Sequence, residues 1–184
     1  MGGGFACNNY LEKCCQNQPE TKKISLEDGD LMEIINIKDN DEFLEEYIRL
    51  CSLEWGTLKS DDEMKSYIID KRKRIHSEDK VISILGLIDN NNNRLVGFIS
   101  LFKYDGDYRR DLTPWYATMY VKKEYRGRGY SKKLNDAILK EASALGYTKV
   151  YLKTELENYY EKFGAIFMEN LNNEEKLYYI PLND

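Results

Sequence analysis

The chain has 184 residues and a mass of 21.7 kDa, the size of one domain rather than two. Hydrophobic residues at 42% and charged residues at 32% exclude a disordered polymer, and a formal charge of −5 argues against general binding to a polyanion. The densest apolar run, Val81 to Ile88, spans 8 residues against the roughly 20 of a membrane-crossing helix, so an integral membrane protein is excluded.

The first stretch, MGGGFACNNYLEKCC, lacks the basic start and apolar core of a secretory signal, and Ala6 stands where myristoylation wants Ser or Thr. Four cysteines are too few for a disulfide scaffold. Cys7, Cys14 and Cys15 match no zinc spacing, and His76 is the single histidine, so no metal site is expected. These thiols read as reduced, in a cytoplasmic protein. Residues 1–30, polar and glycine-led, read as an N-terminal extension to a domain covering residues 31–184.

Within that domain, Leu31 to Ile37 predicts a short strand. Asp39, Asn40 and Asp41 offer N-caps to a helix over Glu42 to Glu54, where Phe43, Tyr47, Ile48 and Cys51 follow helical spacing. A second helix is expected from Asp61 to about Ile75, with Met64, Tyr67, Ile68 and Ile69 inward. Two runs apolar on successive residues follow, Val81 to Ile88 and Leu95 to Leu101, as in strands buried on both faces. Asp89 and Asn90 to Asn93 between them predict the hairpin turn. Pro114 marks the start of a buried strand, Trp115 to Val121. A glycine turn leads into a helix with Leu134, Ala137, Ile138, Ala142 and Leu145 on one stripe, stopped by Gly146. Val150 to Thr154 is a strand, Asn158 to Phe163 a short helix closed by Gly164, and Ala165 to Met168 and Leu177 to Ile180 the last two strands. The order is βααβββαβαββ, an α/β fold with a mixed sheet.

The chemistry concentrates in MYVKKEYRGRGYSKKL, Met119 to Leu134. A buried strand runs into Gly127 and Gly129, and a helix starts directly after them. Backbone N–H groups there can converge on an anion at the positive end of the helix dipole. Lys122, Lys123, Arg126, Arg128, Lys132 and Lys133 against Glu124 give a local +5 inside a chain of −5. A phosphate ligand would explain this arrangement, and so would a glycine turn with a solvated basic helix start. The P-loop string is absent, and the dinucleotide fingerprint fails at its third glycine, where Lys132 stands.

Arg126-Gly127-Arg128-Gly129-Tyr130-Ser131 resembles the R-x-x-G-x-G/A turn of the GNAT N-acetyltransferases, with Ser131 in place of the last Gly or Ala. Asn158-Tyr159-Tyr160-Glu161-Lys162-Phe163-Gly164 resembles the N-x-Y-E-K-x-G segment of the same family, with Ala165 where an aromatic is usual. The resemblance extends over the element order from about residue 31 to 181. It implies a GNAT-like mixed central sheet flanked by helices, with acyl-CoA in a V-shaped splay between the two central parallel strands. Acetyl-CoA would be the co-substrate. Met119, Tyr120 and Val121 would bond the pantetheine arm through their backbones, and Arg126, Gly127, Arg128, Gly129, Tyr130 and Ser131 would hold the pyrophosphate. A backbone N–H near Met119 or Tyr120 would polarise the thioester carbonyl.

Tyr160 matches the family tyrosine that protonates the departing thiolate, a role suited to a phenol with a pKa near 10. Packing is the other role open to it, since most of the 15 tyrosines must be structural. Glu54, at the end of the first helix, is the first candidate for the general base; Asp105, Asp107 and Asp111 compete for that role, as does a water chain. His76 reads as a surface residue. Nine acids between Glu27 and Tyr47 against Lys38 form a stretch that could attract a cationic amine, or simply a solvated face. The implied activity is acetyl transfer to a primary amine of a small molecule or peptide, in a homodimer or a monomer. A non-catalytic acyl-CoA-binding regulatory module is the alternative, and nucleic acid is not an expected partner.

Overall fold

A computed structural model describes residues 32–182 apart from 58, 107, 108 and 173. The extension, with Cys7, Cys14 and Cys15, and the candidate Asp107 lie outside the described residues. Seven strands form one sheet: β1 (Met32–Asn36), β2 (Val81–Asp89), β3 (Arg94–Phe102), β4 (Trp115–Val121), β5 (Lys149–Thr154), β6 (Ile166–Asn170) and β7 (Lys176–Pro181). Their spatial order is β1-β2-β3-β4-β5-β7-β6. Neighbours are antiparallel except β4 and β5, which are parallel.

Helix α1 (Asp41–Trp55) starts at Asn40, whose side chain accepts from the Phe43 N–H at 3.0 Å. Its buried stripe, Phe43, Leu44, Tyr47, Ile48 and Cys51, joins Ile84, Ile88, Leu95 and Phe98 of β2 and β3 in one core cluster. Helix α2 (Asp61–Ser77) adds Met64, Ile68 and Ile75 to that cluster. Ile69, expected inward, is 67% exposed: it lies one residue, or about 100°, off the stripe that Met64 and Ile68 define. A reciprocal capping box of Ser60 and Glu63 opens α2.

Helix α3 (Tyr130–Ala144) covers the opposite face, packing Tyr130, Leu134, Ile138 and Ala142 on Leu85, Leu87, Ile99, Leu101, Tyr116 and Val150. β2 and β3 are therefore buried on both faces, as their unbroken apolar runs predicted. α3 ends in a Schellman motif, with Tyr147 N–H to Ala142 C=O at 3.1 Å and Gly146 N–H to Ser143 C=O at 2.9 Å. Gly146 carries the required positive φ of 86°. Leu145, expected on the apolar stripe, is the C-cap and is 53% exposed. The Asn-rich turn closes the β2–β3 hairpin, with Asn93 at φ 49° and Asp89 accepting from Asn91 and Asn92. The expected short helix at Asn158 to Phe163 is only a 3-10 turn, Glu161–Phe163; Asn158 has φ 58°, which breaks helical continuity at its start.

Candidate active site

The sheet splits at its centre. β4 and β5 pair at Trp115 and Tyr151, where the Tyr151 N–H donates to the Pro114 carbonyl at 2.9 Å, and diverge beyond that point. On its other side β4 stays paired to β3, but the register slips: Phe98 opposes Tyr120 while Ser100 opposes Ala117. Thr118 and Met119 thus share the single opposing residue Ile99, a β-bulge that leaves one residue outside the ladder. Thr118 sits at φ 51°, a conformation a β-branched residue adopts only under constraint.

Hydroxyl groups supply that constraint. The Thr118 hydroxyl donates to Ser100 Oγ at 2.6 Å, and Ser100 Oγ lies 3.0 Å from the Tyr47 hydroxyl on α1. All three residues are buried, and burial holds the Tyr47 phenol well above its usual range, so it stays neutral. Nothing in the sequence distinguishes Ser100 or Thr118 from other polar residues in strands; their role depends on the register slip.

Beyond β4, a 3-10 turn (Lys123–Tyr125) leads to the glycines. Gly127 and Gly129 both have φ 78°, and an added Cβ at either would meet nothing within 4 Å. Glycine is therefore demanded here by backbone conformation, and the space outside is open. Gly129 is the N-cap of α3 and, being glycine, offers no side-chain cap to the first turn of the helix.

The basic cluster is less bare than its sequence implies. Lys122 pairs with Glu46 at 2.6 Å and Lys132 with Asp136 at 2.5 Å, both acids lying outside the window that gave +5. Arg126 folds back, its Nε donating to the Val121 carbonyl at 2.8 Å with the guanidinium 5.8 Å from the Tyr120 ring. Of the three β4 residues expected to bond an arm in the gap, Val121 already has its carbonyl engaged.

Tyr160 lies on the α3 side of the sheet, 5% exposed, edge-on to Tyr116 at 5.9 Å and to Tyr159 at 4.9 Å. Tyr116 in turn has its hydroxyl 4.0 Å from Met119 Sδ, which brings Tyr160 to the neighbourhood of the bulge. Glu54 is half-buried on the last turn of α1, beside Trp55, whose indole stands 6.3 Å from the Tyr120 ring. Among the described residues the Glu54 carboxylate makes no hydrogen bond or ion pair. Asp111 is committed to Arg109 through bonds of 3.0 and 2.9 Å. Asp105 is buried and its carboxyl is raised by that burial. His76 is exposed, 3.7 Å from Asp39. Within the Asp39 to Glu46 stretch, Asp41 and Glu45 pair with Arg72 at 3.4 and 3.7 Å, in keeping with a solvated face.

A mixed sheet split between its parallel strands, beside a glycine turn opening a helix, is the architecture of acyl-CoA-dependent acetyltransferases. The chain belongs to the GNAT family: the family profile, described as acetyltransferase (GNAT) family, matches residues 40–165. Solved structures agree on the fold. An aminoglycoside 6'-acetyltransferase type Ii is 18% identical with a TM-score of 0.58, over 83% of this chain and 98% of that one. The PaiA N-acetyltransferase of Thermoplasma acidophilum, in complex with coenzyme A, is 20% identical with a TM-score of 0.54, over 82% and 98%. A spermidine N-acetyltransferase of Vibrio cholerae is 19% identical with a TM-score of 0.56, over 82% and 94%. A search of curated proteins returned no match. Among the described residues, no helix is long and apolar enough to cross a membrane.

Proposed function

We propose that this chain is an N-acetyltransferase that moves the acetyl group of acetyl-CoA to a primary amine of a small molecule or peptide. The observation that carries the proposal is the junction of β4 with α3: a gap beside β4 leads directly to a helix start behind two left-handed glycines with open space outside them. Acetyl-CoA supplies an activated acyl group together with a pyrophosphate anion and an extended amide-bearing arm. Arg126 to Ser131 would receive the pyrophosphate on backbone N–H groups. Met119 and Tyr120 would bond the arm along the free edge of β4.

The bulge gives the reacting carbonyl its partner. A residue displaced from the β3 ladder has an N–H free to stabilise charge on the thioester oxygen, and the Thr118–Ser100–Tyr47 chain holds it in place. The neutral amine nitrogen donates its lone pair to the acetyl carbon, forming C–N as C–S breaks. Tyr160 gives its phenolic proton to the departing thiolate, and the surplus amine proton leaves through Glu54 or solvent. Turnover on a panel of amines tests the proposal against a module that binds acyl-CoA without using it. Thiol release that depends on an added amine supports transfer, whereas tight acetyl-CoA binding with no amine-dependent release establishes the binding module.

A further inference from the structure

On the sheet face opposite α3, two carboxylates border one cavity, each with one buried oxygen that has no hydrogen-bond donor. Asp105, in the β3–β4 loop, is 5% exposed, and its Oδ1 has no hydrogen-bond partner among the described residues. Glu175, just before β7, has Oε1 buried in the same condition, while its Oε2 accepts from Asn172 Nδ2 at 2.9 Å. Lys153 of β5 stands between them, its Nζ 3.8 Å from Asp105 Oδ2 and 3.7 Å from Glu175 Oε1. Both separations exceed hydrogen-bond length. Trp115, Leu171 and Asn172 complete the walls of a cavity of about 160 Å³, which is roughly five water volumes.

We propose that this cavity receives a second ammonium group of the acceptor, one that stays charged while another amine of the same molecule is acetylated. The proposal rests on the acyl-transfer function above and adds the acceptor class: diamines, polyamines or lysine-like compounds rather than simple monoamines.

Charge, donor count and position support it. Two carboxylates and one lysine leave the cavity at −1, so one further cation makes it neutral. An ammonium brings three donors, enough for both bare oxygens with one to spare. Lys153 and the more distant Lys80 do not meet the need already: Asp105 stays raised by burial despite the pull of both, with Glu175 adding to the rise. The cavity is no place for the reacting nitrogen, which must shed its charge to attack. Trp115 marks the point where β4 and β5 still pair. Met119 lies four residues further along the opening strand, a separation of roughly 10 Å given the strand rise and the bulge. Trp115 and Ala117 face the cavity side, while Tyr116 faces α3.

The test uses the full chain, acetyl-CoA, a ladder of α,ω-diaminoalkanes and n-alkylamines of matched length. The best diamine should exceed its matched monoamine in kcat/KM by ~10–100-fold, the range expected of hydrogen bonds to charged groups. Glu175→Gln and Asp105→Asn should each shrink that ratio to a few-fold, chiefly through KM. Equal use of diamines and monoamines by the parent, or a ratio that survives both substitutions, overturns the proposal. Calorimetric titration of the same diaminoalkanes into the protein without acetyl-CoA separates this failure from failure of the transferase function. Binding that Glu175→Gln abolishes supports the cavity even if no transfer occurs, and absence of binding sinks it. Asp105→Asn should also melt no lower than the parent at neutral pH. A lower melting point would show that the carboxylate holds the fold rather than a ligand.

Discussion

Two kinds of helix start stand on opposite faces of this sheet. On one face, α1 and α2 start by the local rules. Asn40 and Ser60 cap them by side chain, and Asp41, Glu42, Asp61, Asp62 and Glu63 set negative charge on their first turns. On the other face, α3 starts differently. Its N-cap is a glycine without a cap, its first turn has no acid, and Lys132 and Lys133 stand where the dipole is already positive. The Lys132–Asp136 pair moderates this without supplying an acceptor to the turn. That contrast supports the proposal that the start of α3, with no side-chain cap of its own, receives a ligand from outside the fold.

The sharpest way to break this contrast is to make α3 start as its neighbours do. Gly129→Asp puts a carboxylate where the pyrophosphate is expected, free to cap the first turn itself. Acetyl-CoA affinity should fall below calorimetric detection, a loss of at least ~10²-fold, while the protein stays folded. Unchanged affinity in a folded variant would remove this turn from the binding site.

Next in size is Tyr160→Phe, also on the α3 side. General acids typically contribute ~10²–10⁴-fold, and single-turnover transfer at saturating acetyl-CoA should slow by that factor with little change in affinity or melting temperature. The ring, which packs on Tyr116 and Tyr159, is kept. Near-parental transfer would assign Tyr160 to packing alone.

What could be read from the sequence follows the same division. Apolar patterning located the buried strands and all three long helices, because burial on one or two faces imprints a pattern on neighbouring residues; β6, whose burial is slight, was placed only by its position after Gly164. The glycine turn was legible because a positive φ beside a strand end leaves few alternatives to glycine. Relations between distant residues left no such imprint. Lys122 and Glu46 are 76 positions apart, so the basic window looked more charged than it is. Ser100 and Thr118 gained meaning only through a slip in register, and Lys153 and Glu175 only through a cavity that four separate segments enclose. Ile69 failed for a simpler reason: one residue of phase decides inward from outward on a helix.

The smallest effect is expected on the stability side, at Ser60→Ala. Ser60 Oγ accepts from the Glu63 N–H, and Glu63 accepts in return from the Ser60 N–H and hydroxyl, both at 2.8 Å, so alanine removes two bonds and loosens the third. Loss of a serine N-cap typically costs ~1 kcal/mol, which in a chain of this size lowers Tm by about 2–4 °C. Its pH dependence has a definite sign. The Ser60 N–H and hydroxyl hold the Glu63 carboxyl below its ordinary value. A lowered carboxyl contributes stability that is present above its unfolded pKa, roughly 4.3, and is lost as pH falls through the folded value. The Tm gap between parent and Ser60→Ala should therefore be widest near neutrality and narrow in acid. Acetyl-CoA affinity should not move, because the cap lies across the sheet from α3. A variant with parental melting but weakened acetyl-CoA binding would mean that the two faces are coupled, and the division of labour between their helix starts would fail.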